Sequence, residues 1–219
     1  MKITAEFVTS AASAKDFPHD GLPELAVVGR SNVGKSSLIN ALVRQRVART
    51  SASPGKTRLA NIFRATRGAG APFYLIDLPG FGFARGGSDG FDELVRTVFE
   101  RHVAAVLLVD TRHPGLENDL DAWRWVSQAA SEAALVGTKI DKLPRGQRIR
   151  ALAEMESVFQ NSVLPVSAVT GEGLDELWKL IDRLANSHNP PPGPRPIQPP
   201  DSSPRATAPR PQRSSKASS

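Results

Sequence analysis

One stretch near the amino terminus constrains the fold of this chain more than any other. Residues 29–36 read GRSNVGKS, which matches the pattern G-x-x-x-x-G-K-S. The apolar run ELAVV precedes the match and the segment SSLINAL follows it, so the pattern lies between an expected strand and an expected helix. Glycines at both ends let successive backbone amides turn inward at a helix amino terminus, where they can cradle phosphate groups. The sequence therefore predicts a phosphate-binding loop.

Short apolar runs alternate with amphipathic segments over residues 1–187, which predicts a three-layer α/β fold with helices on both faces of a sheet. The link RGAGAP is too short for a crossover and predicts an antiparallel hairpin, so one strand of a mixed, mostly parallel six-stranded sheet should run in reverse. The expected strands are Glu24–Val28, Leu59–Ala65, Phe73–Ile76, Ala104–Val109, Ala134–Val136 and Val163–Val166. The expected helices are Lys35–Val43, Gly90–His102, Asn118–Ser131, Gly146–Phe159 and Asp175–Ser187.

Residues around and beyond the loop suit a nucleoside triphosphate with Mg²⁺. Lys35 would bridge the β- and γ-phosphates, and the Ser36 hydroxyl would ligate the metal. Asp77 ends the apolar run FYLID, where a carboxylate can contact Mg²⁺ through water. The residues LPG follow Asp77, and Gly80 among them would offer its N–H to the γ-phosphate. In the earlier segment SPGKTR, Thr57 could cap the metal. We therefore expect Lys35, Thr57 and Gly80 to act in the reaction and Ser36, Thr57 and Asp77 to hold the metal.

A second group of residues is suited to recognising the base. The segment TKID at 138–141 follows an expected strand. Asp141 can accept from guanine N1–H and from the 2-amino group, a donor pair that adenine lacks, while the Lys139 stem lies along the ring. Thr138 could brace the phosphate loop, and the backbone N–H groups of Ser167 and Ala168 in VSA could meet guanine O6. These residues favour guanine over adenine.

The predicted nucleotide contacts form five segments in order along the chain. They are Gly29, Arg30, Ser31, Asn32, Val33, Gly34, Lys35, Ser36 and Ser37; Gly55, Lys56, Thr57, Arg58 and Leu59; Asp77, Leu78, Pro79 and Gly80; Thr138, Lys139, Ile140 and Asp141; and Val166, Ser167 and Ala168.

This set and its order resemble the EngB (YihA/YsxC) family of bacterial GTPases in the Era-like class. The resemblance is close at PELAVVGRSNVGKSSLINAL, DLPGFGFA and VLLVDTRH, and it departs from the family at Gly137 and Phe81. It implies a P-loop GTPase domain over 1–187 that binds GTP and GDP and hydrolyses GTP with Mg²⁺. It also implies a role in maturing the large ribosomal subunit, with that subunit's precursor and its rRNA as partners, and a link to normal cell division and septation.

Phe81 stands where Ras-like GTPases have the glutamine that orients the attacking water. Phenylalanine can neither donate nor accept, so we expect slow intrinsic hydrolysis. In related GTPases an asparagine at the position of Asn32 helps to hold K⁺, which would then assist the reaction; a loop-bracing role for Asn32 is the alternative.

The net charge of +6 is unevenly distributed. Residues 188–219 hold ten of the 18 prolines with five cations against one acid, which predicts a disordered basic tail outside the domain. Residues 25–76 contain nine Lys and Arg and no acidic residue. These cations predict a surface that contacts RNA phosphates, and a solvated basic face without a partner is the alternative.

Composition narrows the class of protein. With no cysteine, thiol chemistry and disulfides are excluded. The amino terminus lacks the apolar run of a signal peptide, and no run approaches the roughly 20 residues that span a bilayer. We expect a cytoplasmic protein that is not inserted in a membrane and acts as a monomer.

Two other functions are alternatives to a GTPase switch. One is an interaction protein of the division machinery that uses GTP mainly as a structural ligand. The other is an ATP-dependent kinase, which TKID opposes. Asp110, Arg112 and His113 follow the fourth expected strand, and we interpret them as structural or partner-facing rather than catalytic.

Overall fold

A seven-stranded sheet forms the centre of the molecule. The structure is a computed structural model, and it describes residues 3–48, 59–81 and 89–187. The strands lie in the order β1-β3-β4-β2-β5-β6-β7. They are β1 (Ile3–Ala11), β2 (Glu24–Gly29), β3 (Ala60–Arg67), β4 (Phe73–Asp77), β5 (Ala104–Asp110), β6 (Ala133–Thr138) and β7 (Val163–Pro165).

The α-helices of the described residues cover both faces of the sheet. Side chains of three of them pack into one apolar core and side chains of the other two into a second core on the opposite face. The first three are α2 (Asp89–Phe99), α3 (Glu117–Ala129) and α4 (Arg145–Phe159), and the other two are α1 (Lys35–Val43) and α5 (Leu174–Ser187). The predicted three-layer architecture is confirmed.

Strand residues supply both cores because successive side chains point to opposite faces. Ile62, Ile76 and Leu107 lie in the core beneath α2, α3 and α4, whereas Leu25 and Leu75 lie in the core beneath α1 and α5. All five are fully buried, and each contributes about 1.5–3 kcal/mol relative to an exposed side chain. The central strands are therefore apolar on both faces, as the sequence predicts.

The predicted number of six strands is wrong, because residues 3–11 add β1 at one edge. This strand pairs antiparallel with β3, and its register shifts between Phe7 and Thr9. The bulge disrupts the polar–apolar alternation that marks a strand in the sequence, and it leaves 55% of Phe7 and 40% of Val8 exposed. The segment consequently lacks the apolar signature on which the prediction depended.

The predicted hairpin is confirmed. β3 pairs antiparallel with β4, with Asn61 opposite Asp77 and Ala65 opposite Phe73. Since β1 is antiparallel to β3, it runs in the same direction as the remaining strands. β3 is thus the one reversed strand of the sheet.

Four parallel strands end side by side along the carboxyl edge of the sheet, the edge formed by the carboxyl ends of these strands. β2 ends at Gly29, β4 at Asp77, β5 at Asp110 and β6 at Thr138. The crevice beyond the carboxyl ends of such strands is where open α/β sheets bind ligands. The fold therefore brings together residues that are as much as 109 positions apart in the sequence.

The predicted tail, residues 188–219, lies outside the described residues. Within the described ranges, none of the helices combines the length and the apolar composition needed to cross a bilayer.

Gly137 in β6 tests how tightly the sheet packs against its neighbours. A Cβ at this position would lie 2.8 Å from Thr111 Cγ2 and 3.1 Å from Val163 Cγ1. We expect Gly137→Ala to lower the free energy of unfolding by about 1–3 kcal/mol through overpacking. The matched control is Gly146→Ala in α4, where a Cβ meets no atom within 4 Å and should stabilise by about 0.5–1 kcal/mol. Urea denaturation measures both, and an unchanged midpoint for Gly137→Ala would contradict the packing argument.

Candidate functional site

The loop between β2 and α1 has a backbone that only a few residue types tolerate. Gly34 has φ +108° and directly precedes Lys35, the first residue of α1, and Asn32 also has a positive φ of +64°. At Gly29, a Cβ would lie 2.8 Å from Val33 Cγ1. Glycine is thus required at both ends of the loop, once for conformation and once for space.

Lys35 points back across this loop. Its Nζ donates to the carbonyl oxygen of Gly29 at 3.3 Å. Burial lowers the pKa of Lys35, and the carboxylate of Asp77 opposes that shift. A largely buried ammonium group at a helix amino terminus provides a strong attraction for an anion.

Ser36 and Asp77 lie together at the entrance of α1. The Ser36 hydroxyl donates to Asp77 Oδ2 at 3.2 Å, while Asp77 Oδ1 is buried and has no hydrogen-bond partner among the residues that the structure describes. Burial raises the pKa of Asp77 to about 6, against the opposing effects of Lys35 and Ser36. A hydroxyl beside a buried carboxylate oxygen that lacks a donor fits a Mg²⁺ ion, which prefers oxygen ligands.

The backbone beyond Asp77 lies directly against the loop. Ser31 N–H donates to the Phe81 carbonyl at 3.0 Å, and the Ser31 hydroxyl donates to the Gly80 carbonyl at 3.2 Å. A Cβ on Gly80 would lie 2.8 Å from Ser31 Cα. Glycine at position 80 therefore permits this close approach.

Residues after β6 hold the loop from the other side. Thr138 Oγ1 donates to the Val33 carbonyl at 2.8 Å, and Lys139 Nζ donates to the Asn32 carbonyl at 2.6 Å. Thr138 thus braces the loop, as its sequence position predicts. Lys139 ties the same loop to Asp110 Oδ2, which accepts from its Nζ at 2.9 Å.

An open pocket lies next to these hydrogen bonds of Thr138 and Lys139. Ser167 Oγ donates to Asp141 Oδ1 at 2.7 Å, and this bond is the main cause that lowers the pKa of Asp141. The carboxylate is therefore kept ionised and oriented as an acceptor. The pocket is lined by Val33, Gly34, Ser37, Leu38, Thr138, Lys139, Asp141, Lys142, Val166, Ala168 and Val169.

Asp110 has a larger part in this site than the sequence indicates. It is buried, and it accepts from Lys139 and from Arg112 Nε at 3.0 Å. Burial acts to raise its pKa, but the hydrogen bonds from Arg112 and Lys139 outweigh burial and hold the pKa well below its usual value. An aspartate that ends a buried strand beside the TKID strand is the one signal that could have revealed this contact.

The structure brings together most of the residues that the sequence predicts for the site. Residues 29–37, 77–80, 138–141 and 166–168 meet at the carboxyl edge of the sheet. Leu59 directly precedes β3 and is 39% exposed. Gly55, Lys56, Thr57 and Arg58 lie outside the described residues.

Known proteins resemble this chain over most of its length. A family model described as 50S ribosome-binding GTPase matches residues 24–139. A probable GTP-binding protein EngB from Solibacter usitatus is 41% identical over 189 residues, covering 82% of this chain and 95% of that protein. A protein of the same name from Pelotomaculum thermopropionicum is 40% identical over 195 residues, covering 84% of this chain and 96% of that protein.

Solved structures share the fold. Era in complex with MgGDPNP and nucleotides 1506–1542 of 16S ribosomal RNA matches with a TM-score of 0.66 and 25% identity, covering 84% of this chain and 61% of Era. This chain thus spans somewhat less than two thirds of that protein. A crystal structure of a probable GTP-binding protein EngB matches with a TM-score of 0.56 and 20% identity, covering 75% of this chain and 99% of that one.

The buried carboxylate of Asp77 makes a testable prediction about stability. Its pKa is about 6 in the folded protein against a usual 3.8, so the folded state binds the proton more tightly than the unfolded chain. Without ligand, the free energy of unfolding should therefore fall as the pH rises from about 4 to about 6. Asp77→Asn removes this penalty and should stabilise the protein at pH 7.5 by up to about 3 kcal/mol, with no gain below pH 4.

Asp110→Asn is the matched control. The pKa of Asp110 is lowered in the folded state, so its ionised form stabilises the fold at neutral pH and that contribution is lost as the solution is acidified. Urea unfolding at several pH values, without nucleotide or Mg²⁺, should show gains and losses of opposite sign for the two variants. Loss of stability in Asp77→Asn at neutral pH would refute the prediction.

Proposed function

The chain belongs to the EngB family of GTP-binding proteins, and on this basis we propose that it is a slow GTP-driven switch in the assembly of the large ribosomal subunit. The chain is a GTPase. The observation that most supports a switch is the contact of Ser31 with Gly80 and Phe81, because it couples the phosphate loop to the segment that would meet the γ-phosphate.

The phosphates would occupy the loop at the start of α1. Lys35 would exchange its bond to the Gly29 carbonyl for bonds to the β- and γ-phosphates, and the turn at Gly34 would present backbone N–H groups to them. Gly80 would donate its N–H to the γ-phosphate, and Thr57 would join it from the other side. Loss of the γ-phosphate would then release the segment that Ser31 contacts.

Ser36, Asp77 and Thr57 would hold Mg²⁺, Asp77 through water. When bound, the ion would neutralise the charge that develops during phosphoryl transfer. The unpaired Oδ1 of Asp77 and the adjacent Ser36 hydroxyl support this assignment.

Guanine would enter the pocket beside Lys139. Asp141, held by Ser167, would accept from N1–H and from the 2-amino group, and adenine would leave this carboxylate without donors. The backbone N–H of Ala168, which lines the pocket, would meet O6.

Hydrolysis by the isolated protein would be slow. Phe81 packs against the core beneath α2, α3 and α4, and its side chain has no polar atom with which to orient water. A K⁺ ion at Asn32 would assist the reaction. The exposed Asn32 has a left-handed backbone and its carbonyl accepts from Lys139, whereas its side chain makes no hydrogen bond to any described residue.

Ribosomal RNA of the large subunit would be met by the basic segment 25–76. Two cations of this segment have acidic partners: Arg64 pairs with Glu6 at 3.7 Å, and Arg67 pairs with Asp182 at 2.8 Å. Arg44 and Arg46, just beyond α1, are exposed and have no ion pair within the described ranges. Among the described residues of this segment, these two arginines are thus the strongest candidates for phosphate contacts.

In the cell, the protein would act as a cytoplasmic monomer. Its link to cell division and septation would arise through ribosome supply, because a cell short of large subunits cannot sustain growth and division.

We expect purified protein to hydrolyse GTP at about 10⁻⁴–10⁻³ per second or more slowly, the range of Ras before a partner acts. Turnover should rise when K⁺ replaces Na⁺, and Asn32→Ala should abolish the difference. Phosphate release assays in matched buffers test both points. Equal turnover in the two buffers would remove the K⁺ role, and rapid turnover would remove the slow switch.

Co-sedimentation with purified 50S subunits tests the ribosomal role. Binding should be stronger with a non-hydrolysable GTP analogue than with GDP, and it should weaken steeply with salt. Arg44→Gln with Arg46→Gln should weaken binding, whereas Arg124→Gln, which removes an exposed cation on α3, should not. Equal binding with both nucleotides, or binding insensitive to salt, would count against the proposal.

A further inference from the structure

The charges of α4 run against the helix dipole. Three arginines, Arg145, Arg148 and Arg150, lie in its amino-terminal half, whereas Glu154 and Glu156 lie in its carboxyl-terminal half. A helix amino terminus carries partial positive charge, so anions stabilise it and cations do not. This order of charges therefore works against the stability of the helix.

Local structure does little to compensate. The N-cap is Pro144, which makes no side-chain hydrogen bond, and the first turn has no acidic residue. Arg150 and Glu154 are four residues apart, but with the cation first, which is the weaker orientation of such a pair. A helix that served stability alone would place these charges the other way round.

The same cations stand out from their half of the chain. Residues 77–187 carry 12 basic and 17 acidic side chains, yet residues 142–150 contain four cations and no acid. Arg148 pairs with Glu172 at 2.9 Å and Lys142 with Asp141 at 3.5 Å. Within the described ranges, Arg145 and Arg150 are exposed and have no ion pair.

The surface between these two arginines is apolar, and none of the described residues covers it. Ile149 is 67% exposed, and it is flanked by Gly146, where a Cβ would meet no atom within 4 Å, and by the exposed Ala153. A large aliphatic side chain between cations and small residues allows a partner to approach closely. We call Arg145, Ile149 and Arg150 the α4 surface.

We propose that the α4 surface is a second docking site for the RNA backbone, with Arg145 and Arg150 on phosphates and Ile149 against the sugar edge. This inference rests on the proposed ribosomal function. Charge complementarity favours a polyanion, since the free cations lie in an otherwise acidic half of the molecule.

The location of the α4 surface adds to the argument. α4 follows β6 and begins near the carboxyl edge of the sheet, next to the base pocket that Lys142 lines. Arg44 lies at the carboxyl end of α1, and α1 covers the face of the sheet opposite to α4. An extended ligand such as folded RNA can reach both sites, whereas a small anion cannot.

The test uses two double variants of the full chain. One carries both Arg145→Gln and Arg150→Gln, and the control carries both Glu154→Gln and Glu156→Gln in the same helix. Binding to purified 50S subunits and to transcribed large-subunit rRNA is measured with a GTP analogue over a range of salt. Two lost phosphate contacts should weaken binding roughly tenfold and reduce the slope of log K against log salt by about 1.4. The glutamate control should bind at least as well as the unaltered protein.

Thermal unfolding and GTP affinity separate docking from folding. Because the arginines oppose the dipole, their removal should leave the melting temperature unchanged or raise it, and GTP affinity without RNA should not change. A lower melting temperature with unaltered binding would show a structural role and overturn the proposal. Arg145→Lys with Arg150→Lys should restore most of the binding and the full salt slope.

The remaining outcomes are equally decisive. If the arginine variant binds both probes as the unaltered protein does, the α4 surface is not a docking site, although the proposed function stands. If it binds rRNA normally but 50S subunits weakly, the partner is an acidic ribosomal protein and the RNA assignment is wrong. If the unaltered protein binds neither probe, the proposed function fails and this inference fails with it.

Discussion

The hydrogen bonds from Thr138 and Lys139 to the loop after β2 are the interactions on which the rest of the site depends. In this strained turn, the Asn32 carbonyl accepts from Lys139 at 2.6 Å and the Val33 carbonyl accepts from Thr138 at 2.8 Å. Lys139 also bonds to Asp110 at the end of the intervening strand, so three strand ends are joined. The residues proposed to recognise the base and those proposed to bind the phosphates thus belong to one connected hydrogen-bond network.

The same edge of the sheet holds two ionisable groups whose burial disfavours their charged forms. Burial raises the pKa of Asp77 and lowers that of Lys35, so each ionised group is less stable there than in water. Phosphates and a divalent cation would supply the missing partners. Binding of such ligands would therefore be linked to folding, and it would stabilise the region that the buried charges of Lys35 and Asp77 weaken.

Features encoded by local pattern could be predicted from the sequence, and features produced by distant contacts could not. The loop, Asp77 and TKID follow strands or begin helices, so spacing alone locates them. β1 was missed because a bulge at Val8 disrupts its alternation. The sequence also cannot show which cations of segment 25–76 have acidic partners, because Arg67 pairs with Asp182, 115 residues away. The link from Asp110 to Lys139 joins adjacent strands, and its only sequence signal is the aspartate at the end of a buried strand.

The two ends of the sheet differ in form and have one effect in common. At one end, the bulge in β1 twists the outermost backbone out of register, and Glu6 places a charge along it. At the other end, β7 has three residues and ends at Pro165, which has no N–H to donate. Among the described residues, neither border presents a long row of hydrogen-bonding groups in unbroken register, which disfavours the addition of a strand from another chain. Edge-to-edge aggregation of crowded copies is disfavoured for the same reason.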